Sequence, residues 1–225
     1  MIDTLATHKN YFRKIINMWS KIKKAIKEPR KVFPCVCPVI KDRLLDLRRS
    51  QVKRTELDGK VFYKYKGVLY PEFLNKGNAI AFVLEKAKQY CKGRGIDIGA
   101  SQWPFPDAIS IHNEGHQNAY KLDAFPNSSL DYVFSSHCLE HLEKWRDALR
   151  LWINKIKTGG ILFLYLPHKS MKLWRPGEPW VGYEHKWAPT YKIINRFLAD
   201  NRMSIIEFNS GKDDFYCFHI IAKKI

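Results

Sequence analysis

Leu130-Asp131-Tyr132-Val133-Phe134-Ser135-Ser136-His137-Cys138-Leu139-Glu140-His141-Leu142 reads as a strand, a polar loop and the start of a helix. The apolar first half has the character of a buried strand, and the loop gathers hydroxyl, imidazole and thiol groups. Upstream, Gly95-Ile96-Asp97-Ile98-Gly99-Ala100 is an apolar strand running into a glycine. Downstream, Lys157-Thr158-Gly159-Gly160-Ile161-Leu162-Phe163-Leu164 is a helix end, a double-glycine turn and another buried strand. In an open α/β sheet, ligands bind where loops diverge from the carboxyl ends of strands. A glycine at that place lets a ligand reach the backbone with no Cβ in the way.

Working outward, strands are expected at 95–99, 108–112, 119–122, 131–135, 160–166, 204–208 and 215–222, with helices at 140–156 and 189–200. Alternation of strands and helices implies a mainly parallel sheet covered on both faces. The last two strands are joined by a short turn at Gly211-Lys212-Asp213 and should form an antiparallel hairpin. Ahead of this region, 79–90 has helical spacing, and 61–70 reads as a strand or short hairpin turning at Gly67. A further short helix is expected around Leu44, Leu45 and Leu47.

The 225-residue chain has 45% hydrophobic and 14% aromatic residues, enough for a real core, so wholesale disorder is excluded. No apolar run approaches the roughly 20 residues that span a bilayer. The net charge is +17, an excess that points to an anionic partner. Up to Lys60 there are 16 Lys and Arg against 6 Asp and Glu; the rest holds 23 against 16. Within that basic segment Phe12, Ile15, Ile16, Trp19, Ile22 and Ile26 recur at three- and four-residue steps, with lysines between them. This is a basic amphipathic helix, suited either to an anionic membrane surface or to packing on its own domain, and Glu28-Pro29 ends it. The expected organisation is therefore a basic helical extension, 1–60, and a globular domain, 61–225. Five cysteines at irregular spacing and no secretory leader fit reduced thiols in a cytoplasmic protein. Cys35 and Cys37 are followed by no second Cys/His pair at zinc spacing, so no metal site is expected.

The three quoted segments, in this order and spacing, resemble the class I S-adenosylmethionine-dependent methyltransferases. The resemblance is to the branch whose signature runs D-x-G, then D-x-V-x-S-x-x-x-L-E-H-L, then K-x-G-G, and it covers about 93–224. It implies a Rossmann-like, seven-stranded, mostly parallel sheet ending in an antiparallel hairpin, with S-adenosylmethionine as cofactor. By that resemblance Gly95, Asp97, Gly99 and Ala100 form the first cofactor loop. Asp123, with Ala124 beside it, is similar to the aspartate that holds the adenine amino group, and Ser135, Ser136 and His137 line the methionine end. The chain departs from the pattern in two places. The third glycine is missing from Ala100-Ser101-Gln102-Trp103-Pro104-Phe105-Pro106, whose prolines leave little room for the usual helix. The acid that holds the ribose is replaced by His112 or Asn113, with Glu114 just beyond as the candidate.

Methyl transfer needs a nucleophile placed in line with the sulfonium methyl, and a hydroxyl nucleophile gains from a general base. His137, His168 and His185 fall where the pocket should be and are the candidate bases; His141 sits beside Glu140 as a more structural pair. The aromatic and basic stretch 169–186 is a candidate acceptor site, with Trp174, Arg175, Trp180, Tyr183 and His185 singled out. The expected activity is methyl transfer to a hydroxyl or similar nucleophile of a saccharide or small polar acceptor, and the basic helix would suit one carried on a lipid at the inner membrane face. Two alternatives stay open: an RNA methyltransferase, disfavoured by the lack of an Asn/Asp-Pro-Pro-aromatic motif, and a non-catalytic binding module. The oligomeric state is not legible.

Overall fold

A computed structural model of the chain describes residues 29–112 and 116–225. The expected amphipathic helix at 11–26, the side chains of Cys35 and Cys37, and Glu114 lie outside them. The chain divides between Arg48 and Arg49 into two units. The described part of the first is helix α1 (Pro29–Arg49), so Leu44, Leu45 and Leu47 belong to a helix of 21 residues rather than a short one. Among the described residues no helix is long and apolar enough to cross a membrane.

In the second unit β1 (Lys53–Leu57), β2 (Lys60–Tyr65) and β3 (Val68–Pro71) form an antiparallel sheet through the turns Asp58-Gly59 and Lys66-Gly67. Two short 3-10 turns (Glu72–Asn75 and Ala79–Phe82) lead into α2 (Leu84–Tyr90). The main sheet comprises β4 (Gly95–Ile98), β5 (Ile109–Ile111), β6 (Leu130–Ser136), β7 (Ile156–Pro167), β8 (Met203–Asn209) and β9 (Cys217–Lys224), in the order β5-β4-β6-β7-β9-β8. The first four run parallel, and β9 pairs antiparallel with both β7 and β8. The Rossmann-like class and the terminal hairpin are as expected from the sequence.

The strand count is not. The main sheet holds six strands among the described residues, and the seventh expected one, at 119–122, does not form. That backbone is used otherwise: Asn118 and Lys121 make an isolated bridge, and the Ala119 carbonyl accepts from the buried Trp152 indole at 2.8 Å. A second correction concerns the helix expected at 140–156. The chain instead makes one 3-10 turn, Leu139–His141, turns extended at Leu142 and starts α3 (Trp145–Lys155) afterwards. The break lets Glu140 point into the core while α3 keeps its own apolar face inward.

Alternate sheet residues feed two cores. Ile96, Ile98, Val133, Leu162 and Leu164 face α3 and α4 (Tyr191–Asp200), where Trp152, Leu149 and Leu198 are fully buried. Tyr132, Phe134, Phe163 and Tyr165 face the other way and meet Tyr65, Tyr70, Leu74 and Val83. An irregularity in pairing between Leu130 and Tyr132 resets the alternation, which is why both can be buried on opposite sides. Among the described residues no helix covers the second face between β4 and β5. Phe105 covers it there, stacked on Phe134 with ring centroids 4.8 Å apart.

A Cβ at Gly95 would fall inside the Tyr132 ring. Gly95→Ala should therefore destabilise the protein by about 1–3 kcal/mol through overpacking. Urea unfolding checks this, and an unchanged midpoint at unchanged m-value would contradict the close approach.

Candidate functional site

The carboxyl ends of β4 and β6 lie side by side, and a cavity of about 280 Å³ opens there. Gly99 follows β4 with φ +88, and a Cβ at this position would collide with the Cys138 side chain after β6. Only glycine satisfies both demands. Two further bonds fix this junction: the Ser135 hydroxyl donates to the Ile98 carbonyl at 2.9 Å, and Gly99 N–H donates to Ile111 O at 3.0 Å. Ser135 therefore acts in the wall rather than in the cavity, whereas Ser136 lines the cavity with Ala100 and Ser101.

Asp97 is 3% exposed and its carboxylate accepts from Phe105 N–H at 2.8 Å. That bond holds the proline-bearing loop 99–105 against the end of β4. Burial pushes the Asp97 pKa up to about 6, partly opposed by the Phe105 bond and by His112. A cationic ligand group in the cavity would find in Asp97 a ready carboxylate.

On the β6 side the centre is Glu140, fully buried. His137 Nδ1 lies 3.3 Å and His185 Nε2 3.9 Å from its Oε1, and the rings of His141 and His185 meet edge-on at 4.5 Å. Burial works to raise the Glu140 pKa. The imidazole of His137, with His185 and His141 behind it, outweighs that and holds the carboxyl below its usual range. Burial pushes His185 down, towards the neutral imidazole. His137 has φ +51, an uncommon conformation for a residue with a Cβ, and its Nε2 is 2.9 Å from Cys217 Sγ. Cys217 is held as the thiol by burial, so His137 is engaged at both nitrogens.

The stretch 169–186 supplies the far wall. Trp174 packs edge-on to His137 at 5.2 Å, and Trp180 edge-on to Tyr63 at 5.4 Å. Glu178 anchors the stretch to the β2–β3 hairpin by accepting from Tyr65 Oη at 2.5 Å and Lys66 Nζ at 2.7 Å.

The cavity thus unites Asp97, Gly99, Ala100, Ser136, His137, Trp174, Trp180 and His185 of the residues expected from sequence. Others lie elsewhere. His168 bonds to Ser170 and lines a separate cavity with Lys169, Thr190 and Tyr191. Arg175 turns to the Lys169 carbonyl, and Tyr183, 37% exposed, is not on the wall. The Asp123 side chain is three-quarters exposed, 3.8 Å from Lys121, while Ala124 N–H donates to Gln117. Gly95 is spent on packing against Tyr132. Asn75, Gly77, Asn78, Trp103 and Phe215 also stand on the wall, none of them among the residues expected from sequence. The Gly77-Asn78 turn was the one available signal for the first three.

A family model described as a methyltransferase domain matches residues 81–164. Among solved structures, an S-adenosylmethionine-dependent methyltransferase from Thermotoga maritima is 13% identical, covering 68% of this chain and 92% of that one, with a TM-score of 0.53. One from Archaeoglobus fulgidus is 20% identical over 65% of this chain and 95% of that one, with a TM-score of 0.48. One from Mesorhizobium loti is 13% identical over 67% of this chain and all 100% of that one, also at 0.48. The likeness to the Thermotoga protein carries the fold. No curated protein matches the chain. The family match over 81–164 and the shared fold support a class I S-adenosylmethionine-dependent methyltransferase, a family whose cofactor is S-adenosylmethionine. The glycine cradle fits that cofactor, since a Cβ at Gly99 would close the place where the strand ends meet.

Because Asp97 is protonated more readily in the folded chain than at its ordinary value of 3.8, the free protein should lose stability as pH rises from about 4 through about 6. Asp97→Asn should flatten that fall, gaining about 1–3 kcal/mol at neutral pH relative to the parent. Unfolding midpoints at pH 4, 5, 6 and 7 check it, and parallel pH profiles for both proteins would contradict it.

Proposed function

We propose that the chain methylates a hydroxyl of a small, oxygen-rich acceptor such as a saccharide, seated between Trp174 and Trp180. The observation that carries this reading is that one cavity is walled both by the glycine cradle and by a carboxylate ringed with imidazoles. When bound, the cofactor supplies a methyl group made electrophilic by its sulfonium. Asp97 and the Gly99–Ser101 backbone bind its amino-acid end, and Ser136 lies beside them. Flat indole faces suit the C–H faces of a sugar ring, and the stretch they stand on is clamped rather than loose. Orienting and activating the acceptor hydroxyl falls to the Glu140 cluster, because His168 is in another cavity and His137 has both nitrogens engaged. The basic segment ahead of Lys60 would hold the enzyme near an anionic surface, which suits an acceptor carried on a lipid.

Transfer to saccharides should be detectable by mass spectrometry as gain of a methyl group from the cofactor. Trp180→Ala should raise KM for the acceptor about tenfold with little change in kcat. Glu140→Gln should lower kcat at least ~100-fold while cofactor binding survives. Methylation of amines but of no hydroxylated acceptor would refute the hydroxyl reading. Cofactor affinity should also rise with pH through about 6 as Asp97 ionises, and calorimetry reads this directly.

A further inference from the structure

We infer that Glu140, His141 and His185 form a divalent-cation site on the wall of the cavity. Glu140 and His141 come from the single turn after β6, and His185 from the stretch after β7. One donor atom from each of the three lies within 4.8 Å of the others. Two donors sharing a zinc-sized ion at about 2.1 Å are at most about 4.2 Å apart, so small side-chain rotations complete the site.

The second observation is the carboxylate itself. Glu140 is completely buried, yet neither oxygen accepts a hydrogen bond. The nearest imidazole nitrogens, on His137 and His185, stand 3.3 and 3.9 Å from Oε1: His137 Nδ1 pairs with the carboxylate electrostatically but outside hydrogen-bond geometry, and His185 stands further off. A buried charge without hydrogen bonds is destabilising, and a cation bound between the carboxylate and the two imidazoles removes that cost. One carboxylate and two imidazoles favour Zn²⁺, Mn²⁺, Co²⁺ or Fe²⁺ over the all-oxygen sites of Mg²⁺ and Ca²⁺. Three protein ligands also leave coordination positions free. His141 and His185 line the cavity and Glu140 stands behind them, so the free positions face the cavity, where an acceptor oxygen can take one. That last step rests on the hydroxyl-acceptor reading above; binding of the cation does not.

The test uses the full chain without a polyhistidine tag, stripped with chelator and titrated by calorimetry with Zn²⁺, Mn²⁺ and Co²⁺ alone. One ion per chain should bind, and Co²⁺ should give visible absorption bands of a low-coordinate site. Glu140→Gln and His185→Ala should each weaken binding at least tenfold, while His116→Ala, on an exposed histidine, should not change it. Binding of S-adenosylhomocysteine by each variant shows that it is folded. If Glu140→Gln fails that control, the wild-type cobalt spectrum and His185→Ala decide. No saturable binding of any of the three ions, or equal affinity in wild type and folded Glu140→Gln, would overturn the site. Cation binding with no hydroxylated acceptor methylated would leave the site standing and remove only the acceptor reading.

Discussion

The parallel pairing of β4 with β6 brings the glycine after one strand against the cysteine after the other, with no space for a Cβ between them. From this contact the rest of the site follows. Gly99 must be glycine on two counts, its positive φ and the proximity of Cys138. Ser135 stitches the same strands through Ile98, which turns Ser136 and His137 outward to the cavity. Asp97, on the sheet face opposite Ile96 and Ile98, is left at the rim and is used to hold the loop after β4. The glycine cradle and the Glu140 cluster are thus two sides of one strand junction.

Glu140 stands against the usual economy of a core. A fully buried carboxylate without hydrogen bonds is worth less to stability than an apolar side chain of similar size. Such a group persists where its charge serves something other than folding. Here three imidazoles surround it and the cofactor loop lies across the cavity, so the same arrangement explains both the broken helix before α3 and the chemistry assigned to the cluster.

Much of the fold was legible because buried strands announce themselves. The runs at Val133–Phe134 and Ile161–Leu164 are apolar on both faces, and Ile96 and Ile98 make one apolar face beside the single buried Asp97; each became a core strand of the sheet. The stretch at 119–122 has similar composition, but its backbone went to Trp152, a partner 33 residues away that no local pattern reveals. The helix expected from Glu140 failed for a related reason: burial of its charge beside His185, 45 residues on, overrode local propensity. At the site, Gly99, Asp97 and His185 were readable from position and type. Trp103 and Phe215 were not, since Trp103 reaches the cavity from the loop after β4, beside Gly77, and Phe215 from the loop before β9, packed with Phe73 and Phe82.

The most direct test of a shared cavity is a crystal structure of the full chain grown with S-adenosylhomocysteine. The account predicts its amino-acid end against Gly99 and Asp97, with the thioether sulfur turned toward Ser136 and the Glu140 cluster. Density for the ligand in the separate cavity beside His168 and Tyr191, or a sulfur turned away from Glu140, would contradict it.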